Sequence, residues 1–246
     1  MLGTRIIARL DIKGQNCVKG VHFEGLRVMG NPMELAKKYS NAHELLYIDT
    51  VASLYGRNQL TDLLQEVSDG VYIPTTVAGG IKNLQDASEL FQSGADKIAI
   101  NSHALYNPDV INTLSVRFGS QAITVSIQSS QGMCFSNCGR ERTGKCVDQW
   151  AEEAVALGAG EILLTSIDKD GTMSGPDLDL IRSIKVAVPL VYSGGIATVQ
   201  HAIDAIDAGA DAICIGSALH YNKLKIEEIE DGINQIKFPH QERCVA

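Results

Sequence analysis

No apolar run in the chain approaches the roughly 20 residues that a membrane-spanning helix needs, so a membrane protein is not expected. The opening MLGTRIIARLD has charge inside any would-be signal core, which argues against secretion. An excess of basic residues is also missing: 21 Lys and Arg stand against 29 Asp and Glu, for a formal net charge of −8. Nucleic-acid backbones are bound through accumulated Lys and Arg, so a general nucleic-acid surface is excluded, although cations can still gather around a small anion. Six cysteines (Cys17, Cys134, Cys138, Cys146, Cys214 and Cys244) in 246 residues are too sparse for a disulfide scaffold. The expected setting is a reduced cytoplasmic enzyme. Its 45% hydrophobic and 20% charged residues are ordinary globular values and allow a sizeable core.

What the sequence does have is alternation. Short β-branched runs occur near RIIARL (5–10), LLYIDT (45–50), IPTTVA (73–78), KIAIN (97–101), AITVSI (122–127), EILLTS (161–166), PLVYS (189–193) and AICIG (212–216). Between them lie stretches such as QDASELFQSG and VQHAIDAIDAG, apolar at helical spacing and ending in a Gly suited to a C-cap. Eight strands and eight crossovers predict one (β/α)₈ TIM barrel over residues 1–246, with an open doubly wound sheet as the alternative. The chain also repeats itself. AGGI at 78–81 recurs as SGGI at 193–196, and GADKIAINS at 94–102 as GADAICIGS at 209–217, both 115 residues on (193 − 78 and 209 − 94). YIDT around Asp49 is echoed by TSID around Asp168. Two duplicated half-barrels, about 1–120 and 121–240, explain all three pairs. Asp11 and Gln128 then end equivalent strands, 117 residues apart (128 − 11).

Catalytic side chains of such barrels project from the C-terminal ends of the strands. Those ends carry Asp11 and Lys13, Asp49, Gly79 and Gly80, Asn101 and Ser102, Gln128, Asp168 and Asp170, Ser193, Gly194 and Gly195, and Gly216 and Ser217. Glycines admit close backbone approach, and exposed N–H groups ahead of a helix attract anions. Such groups follow strands three and four and again strands seven and eight, which suits an elongated substrate with a phosphate at each end. The alternative is that these glycines only make tight turns. Asp11 beside Lys13 is a candidate acid/base centre in which the cation tunes the carboxylate, against a merely solvated pair. IDKDGTMSG lacks the full run of oxygen ligands of a calcium loop, so hydrogen bonding to substrate or loop backbone is expected there. Cys134, Cys138 and Cys146 follow the fifth strand at a spacing that matches no zinc pattern, and hairpin packing or free thiols are expected of them. At the other end, Arg5, Glu44, Lys97 and Glu161 fall at strand starts, and two charges of each sign predict a salt-bridge ring closing the barrel floor.

In order, RIIARLDIKG, VKG at 18–20, AGGI, GADKIAIN, FGSQAI, EILLTSIDKDGT and SGG resemble the cyclase subunit of imidazole glycerol phosphate synthase, from about residue 1 to residue 222. The sister isomerase of histidine biosynthesis shares the half-barrels, but the TSIDKDGT block and the four-charge floor resemble the cyclase. The resemblance implies a lyase/cyclase in a heterodimer, fed with ammonia by a glutaminase of the class I amidotransferase type. Ammonia would split phosphoribulosyl-formimino-aminoimidazole-carboxamide ribonucleotide, which has two phosphates, into imidazole glycerol phosphate and aminoimidazole-carboxamide ribonucleotide. No cofactor and no metal are implied. Asp11 becomes the catalytic carboxylate, and Lys19 lies on the mobile loop after the first strand. Gly80, Asn101 and Ser102 serve one phosphate, and Gly195 and Ser217 the other. Asp49, Asp168, Asp170, Gly171, Thr172, Ser193, Gly194 and Gly216 surround the substrate. Arg5, Glu44, Lys97 and Glu161 become the ammonia gate, and Asp96 faces the glutaminase.

One departure stands out. The family has a second catalytic Asp at the end of the fifth strand, where this chain has Gln128. An amide can orient a substrate but cannot accept and return a proton at neutral pH. The loop after the first strand also carries VHFEGLRVM where the family has a more polar stretch. Two alternatives therefore stand beside the cyclase. One is a paralogue passing ammonia to another pathway, such as amidino modification of surface sugars. The other is a non-catalytic scaffold that activates a glutaminase.

Overall fold

The computed structural model describes residues 4–52, 60–68 and 70–237. The first stretch gives β1 (Arg5–Lys13), β2 (Asn16–Val21), β3 (Glu24–Gly30), α1 (Pro32–Lys38) and β4 (Glu44–Asp49). Next come α2 (Leu60–Ser68), β5 (Thr75–Ala78), α3 (Leu84–Gln92), β6 (Lys97–Ile100), α4 (Ser102–Tyr106) and α5 (Asp109–Phe118). The second half holds β7 (Ile123–Ser130), β8 (Met133–Ser136), β9 (Glu141–Cys146), α6 (Val147–Ala156) and β10 (Glu161–Ser166). It ends with α7 (Leu178–Ser183), β11 (Leu190–Ser193), α8 (Val199–Asp207), β12 (Ala212–Ile215), α9 (Ser217–His220) and α10 (Ile226–Lys237). Side-chain caps start several helices: Asn31 accepts from Met33 N and Glu34 N, and Asn83 from Gln85 N and Asp86 N. None of the described helices is long and apolar enough to cross a membrane.

Eight parallel strands close on themselves. The order runs β10, β11, β12, β1, β4, β5, β6, β7, and β7 pairs back onto β10 from Thr124 opposite Glu161 to Ser129 opposite Ser166. This is a (β/α)₈ barrel, and that final pairing removes the edges an open sheet would keep. The strand period of two divides β1 between layers. Ile6, Ala8, Leu10 and Ile12 join the core between barrel and helices, whereas Ile7 joins an inner cluster with Leu46, Ala78, Ala99, Leu163, Val191, Ala212 and Cys214. Each fully buried Ile, Leu or Val contributes about 1.5–3 kcal/mol. By the same parity Arg5, Arg9 and Asp11 face the barrel interior.

Two stretches read as loops from sequence are hairpins. β2 and β3 run antiparallel beside the end of β1, and β8 and β9 beside the end of β7. Gln131 and Gly132, with φ of 51° and 74°, make the tight turn between β7 and β8 that right-handed strand twist favours. At the tip of the first hairpin His22 and Phe23 take φ of 52° and 64°, unusual for bulky side chains. The hairpins therefore follow the two strands that end at Asp11 and Gln128.

Candidate active site

The first hairpin folds over the C-terminal mouth of the barrel. The His22 N–H donates to the Asp170 carbonyl at 2.9 Å, and a Cβ on Gly171 would collide with the Gly20 carbonyl. Beneath it lies a closed cluster of four charges, Arg9, Asp11, Lys19 and Asp170, each at most 4% exposed. Arg9 Nε donates to Asp11 Oδ1 at 2.8 Å, and Lys19 Nζ donates to Asp11 Oδ2 at 2.8 Å. The same Nζ reaches Asp170 Oδ1 at 2.9 Å and Oδ2 at 3.2 Å. Burial alone would raise the Asp11 carboxyl, but the Arg9 and Lys19 charges outweigh it and hold the group well below the usual carboxylate range. Burial would lower Lys19, yet Asp11 and Asp170 keep its ammonium above the ordinary value.

Two hollows open at this mouth. The larger, about 220 Å³, is lined by Asp49, Gly80, Asn101, Ser102 and Gln128 among others, with Asn137 and Cys138 at the tip of the second hairpin. Asp49 Oδ1 accepts from the N–H groups of Val51 and Ala52 at 2.9 Å each. Asp49 Oδ2, Asn101 Oδ1 and Gln128 Oε1 are buried without a partner among the described residues. All three line this one hollow, so it is ready to receive hydrogen-bond donors from a ligand. Gly79 has φ of 119°, and a Cβ there would stand 2.9 Å from Asp49 Cβ, so only glycine lets the turn approach that carboxylate. The smaller hollow, about 20 Å³, lies among Lys19, Asp170, Gly171, Ser193, Gly194, Gly195, Gly216 and Ser217. Lys19 and the neighbouring loops nearly fill it.

The barrel floor is a complete ring. Arg5 Nη1 meets Glu44 Oε2 at 2.8 Å, and Arg5 Nη2 meets Glu161 Oε2. Lys97 Nζ lies 2.9 Å from both Glu44 Oε2 and Glu161 Oε1. Thr76 Oγ1 donates to Glu44 Oε1 at 2.6 Å and Thr124 Oγ1 to Glu161 Oε1 at 3.1 Å. Burial would raise the Glu161 carboxyl, but Lys97 and Arg5 bring it below its ordinary value. Outside the ring, Asp96 is exposed and accepts from Thr75 N at 2.8 Å, near Tyr72, which is 87% exposed.

Several residues behave differently from the sequence reading. Lys13 is exposed at the hairpin turn, opposite Asn16, and the cations that tune Asp11 are Arg9 and Lys19. Lys19 belongs to a paired strand rather than a loop. Asp168 accepts from Ser130 Oγ at 2.7 Å and Gln131 N at 3.1 Å, tying down the turn between β7 and β8. Thr172 Oγ1 donates to the Lys169 carbonyl at 2.8 Å. Asp11, Asp168 and Thr172 line neither hollow. Arg9 is one charge in an apolar run and does not stand out in the sequence; its even spacing from Asp11 is the signal that places both on one face. Cys134 is buried in the second hairpin with its thiol pushed up to about 12 by burial, and Cys138 Sγ donates to the Thr50 carbonyl at 3.1 Å. Cys244 lies outside the described residues. Among the described residues no cluster of three or more His, Cys, Asp or Glu is arranged to hold a metal ion.

Residues 5–225 match a family profile described as "Histidine biosynthesis protein". The chain is 48% identical over 209 residues to the imidazole glycerol phosphate synthase subunit HisF of Legionella pneumophila, covering 81% of this chain and 99% of that protein. The subunit HisF of Exiguobacterium sibiricum is 44% identical over 240 residues, 94% of this chain and 96% of the relative. That of a Thermotoga strain is 41% identical over 239 residues, 94% of each.

Proposed function

Because this chain belongs to the histidine-biosynthesis family of imidazole glycerol phosphate synthase HisF subunits, and is thereby a cyclase-subunit enzyme, we propose how its barrel carries out that work. Ammonia released by a partner glutaminase enters through the floor ring and meets a bis-phosphate ribonucleotide at the mouth. There it is used to form imidazole glycerol phosphate and aminoimidazole-carboxamide ribonucleotide. The observation that carries this reading is the stacking of three zones along one barrel axis. A ring of alternating charge closes the floor, an apolar layer of Ile7, Leu46, Ala99, Leu163 and Ala212 lies above it, and the polar mouth comes last. Such a layer favours neutral ammonia over ammonium, because an unpaired charge is costly to desolvate.

At the mouth, Gly80, Asn101 and Ser102 hold one phosphate, and Gly195 and Ser217 hold the other. The near-closed second hollow fits a state in which the β2–β3 hairpin lifts Lys19 away for substrate to enter. Asp49 and Asn101 offer acceptors to the N–H groups of the substrate, and Gln128 orients it. On the far side, Asp96 and the exposed Tyr72 suit a protein contact with the glutaminase. The free thiols Cys17, Cys134, Cys146 and Cys214 suit a reducing cytoplasm.

The test is turnover by purified protein supplied with an ammonium salt and this substrate. Formation of imidazole glycerol phosphate is the expected result, and its complete absence with folded protein would sink the reading. A second reading is favoured by one observation: neither Asp11, bound on both oxygens, nor Gln128 is a free acid. A chain of this kind could pass ammonia to a different acceptor, such as a sugar awaiting an amidino group. That reading predicts glutaminase stimulation by this chain without cyclase turnover.

A further inference from the structure

The Asp11 carboxylate carries one cation on each oxygen, and the two cations differ in how they are attached. Lys19 sits on the β2–β3 hairpin and divides its ammonium between Asp11 and Asp170. Arg9 sits on the barrel strand itself, two residues from Asp11 on the same face, so its Nε contact at 2.8 Å is built into the pleat of β1. Further contacts hold it: Arg9 Nη1 donates to Ser193 Oγ at 3.4 Å and lies 3.9 Å from Asp170 Oδ1. The Phe23 ring lies 5.5 Å from the guanidinium carbon, and His220 Nε2 donates to the Arg9 carbonyl at 3.1 Å, just beyond the last β1–β12 pair, Ala8 with Ile215. A guanidinium stays protonated at any pH the protein survives, and its attraction for a carboxylate grows as water is excluded.

We propose that Arg9 is a positioning residue that commits Asp11 to its ionised form, whether or not the hairpin is closed. The mouth then has a fixed carboxylate at one of two equivalent strand ends and a neutral amide, Gln128, at the other. It has no side-chain acid at either, so any proton needed by a leaving group comes from water, ammonium or the substrate itself. This inference rests on the reading that the mouth is the reacting site. The groups facing Asp11 from its neighbours are consistent with it. Burial pushes the thiols of Cys17 (β2) and Cys214 (β12) up to about 12, and His220 (α9) falls to about 4, also through burial. That leaves Lys19 as the other charge bonded to Asp11, with Asp170 joined to the cluster through Lys19 at 2.9 Å and Arg9 at 3.9 Å.

The experiment is ¹³C NMR of the full chain labelled at the aspartate side-chain carbon, with the Asp11 signal assigned by its loss in Asp11→Asn. Wild type and Lys19→Met should both show Asp11 ionised from neutral pH down to about pH 4, the ordinary carboxylate range. In Lys19→Met/Arg9→Met a buried carboxyl is left without a cation, and its midpoint should rise above that range by one or more pH units. Asp11 titrating at or above about pH 4 in wild type or in Lys19→Met overturns the proposal, and both proteins decide it even if the double variant does not fold. A double variant with Asp11 still ionised at about pH 4 overturns it too, since Arg9 would not be the cause. Ammonium-driven turnover is measured in parallel. Its absence, with Asp11 ionised in Lys19→Met, would fail the cyclase reading while supporting the role of Arg9.

Discussion

Gln128 occupies a place where charge would be expensive and proton transfer useful. Its amide lines the larger hollow with Asp49 and Asn101, and its Oε1 has no partner among the described residues. A carboxyl placed there would be pushed up by burial and by the Asp49 carboxylate, toward the pKa of a general acid at neutral pH. Gln128→Asp should therefore raise kcat in ammonium-driven turnover by about 100-fold, within the range one positioned acid or base supplies. KM should change little, since the gain is confined to the transition state. An unchanged kcat would mean that the missing acid is not what limits the reaction. Asp11→Asn should act in the opposite sense. It removes the carboxylate proposed for the reaction and strips Arg9 and Lys19 of their shared anion, so both activity and stability should drop.

Hairpins β2–β3 and β8–β9 are the elements that turn an open barrel mouth into an enclosed site. Their tips meet: a Cβ on Gly139 would come within 2.7 Å of the Phe23 ring. The first hairpin is anchored on the loop after β10 through Gly171, whose φ of 76° and contact with the Gly20 carbonyl leave no room for a side chain. In Gly171→Ala the left-handed backbone alone costs about 1–3 kcal/mol. Relief should come by lifting the hairpin, so amide exchange at residues 16–30 should quicken roughly 5- to 150-fold while the barrel strands keep their protection. Uniform loss of protection would instead mean that the hairpin and barrel unfold together. The eight barrel strands are legible in the sequence because each is a β-branched run bounded by polar residues or glycine. NCVKGV and EGLRVMG are not legible in that way, for they alternate poorly and β3 is largely exposed. The floor ring was readable from four charges at strand starts. The Arg9–Asp11 contact was not, because it depends on which face of a closed barrel each side chain occupies.

On the scale of the whole molecule, the floor ring joins β1, β4, β6 and β10, so its loss is felt across the barrel. Lys97→Met leaves the buried carboxylates of Glu44 and Glu161 sharing Arg5 alone, and breaking such a buried pair costs about 3–5 kcal/mol. Adding Glu161→Gln removes the uncompensated charge, and the double variant should recover part of that loss in urea unfolding. Global stability should also depend on pH through His220. Its ring is enclosed by Tyr39, Cys17 and the Arg9 carbonyl, with Nδ1 accepting from Tyr39 OH at 3.0 Å. Burial lowers its pKa from 6.5 to about 4, so between these values the unfolded chain takes up a proton that the native protein refuses. Stability is then full above pH 6.5 and declines as pH falls through that window, by at most about 1.4 kcal/mol per pH unit. Asp11 and Glu161, whose carboxyls are lowered in the native state, act in the same direction only in more acid solution, at and below the usual carboxylate range of about 4. The urea midpoint of the wild type should therefore fall between about pH 7 and pH 5, where His220 titrates in the unfolded chain and the lowered carboxylates do not yet contribute. His220→Gln, whose amide can still donate to the Arg9 carbonyl, should flatten that profile. A wild-type profile already flat across the window would mean that the native protein binds the proton as readily as the unfolded chain.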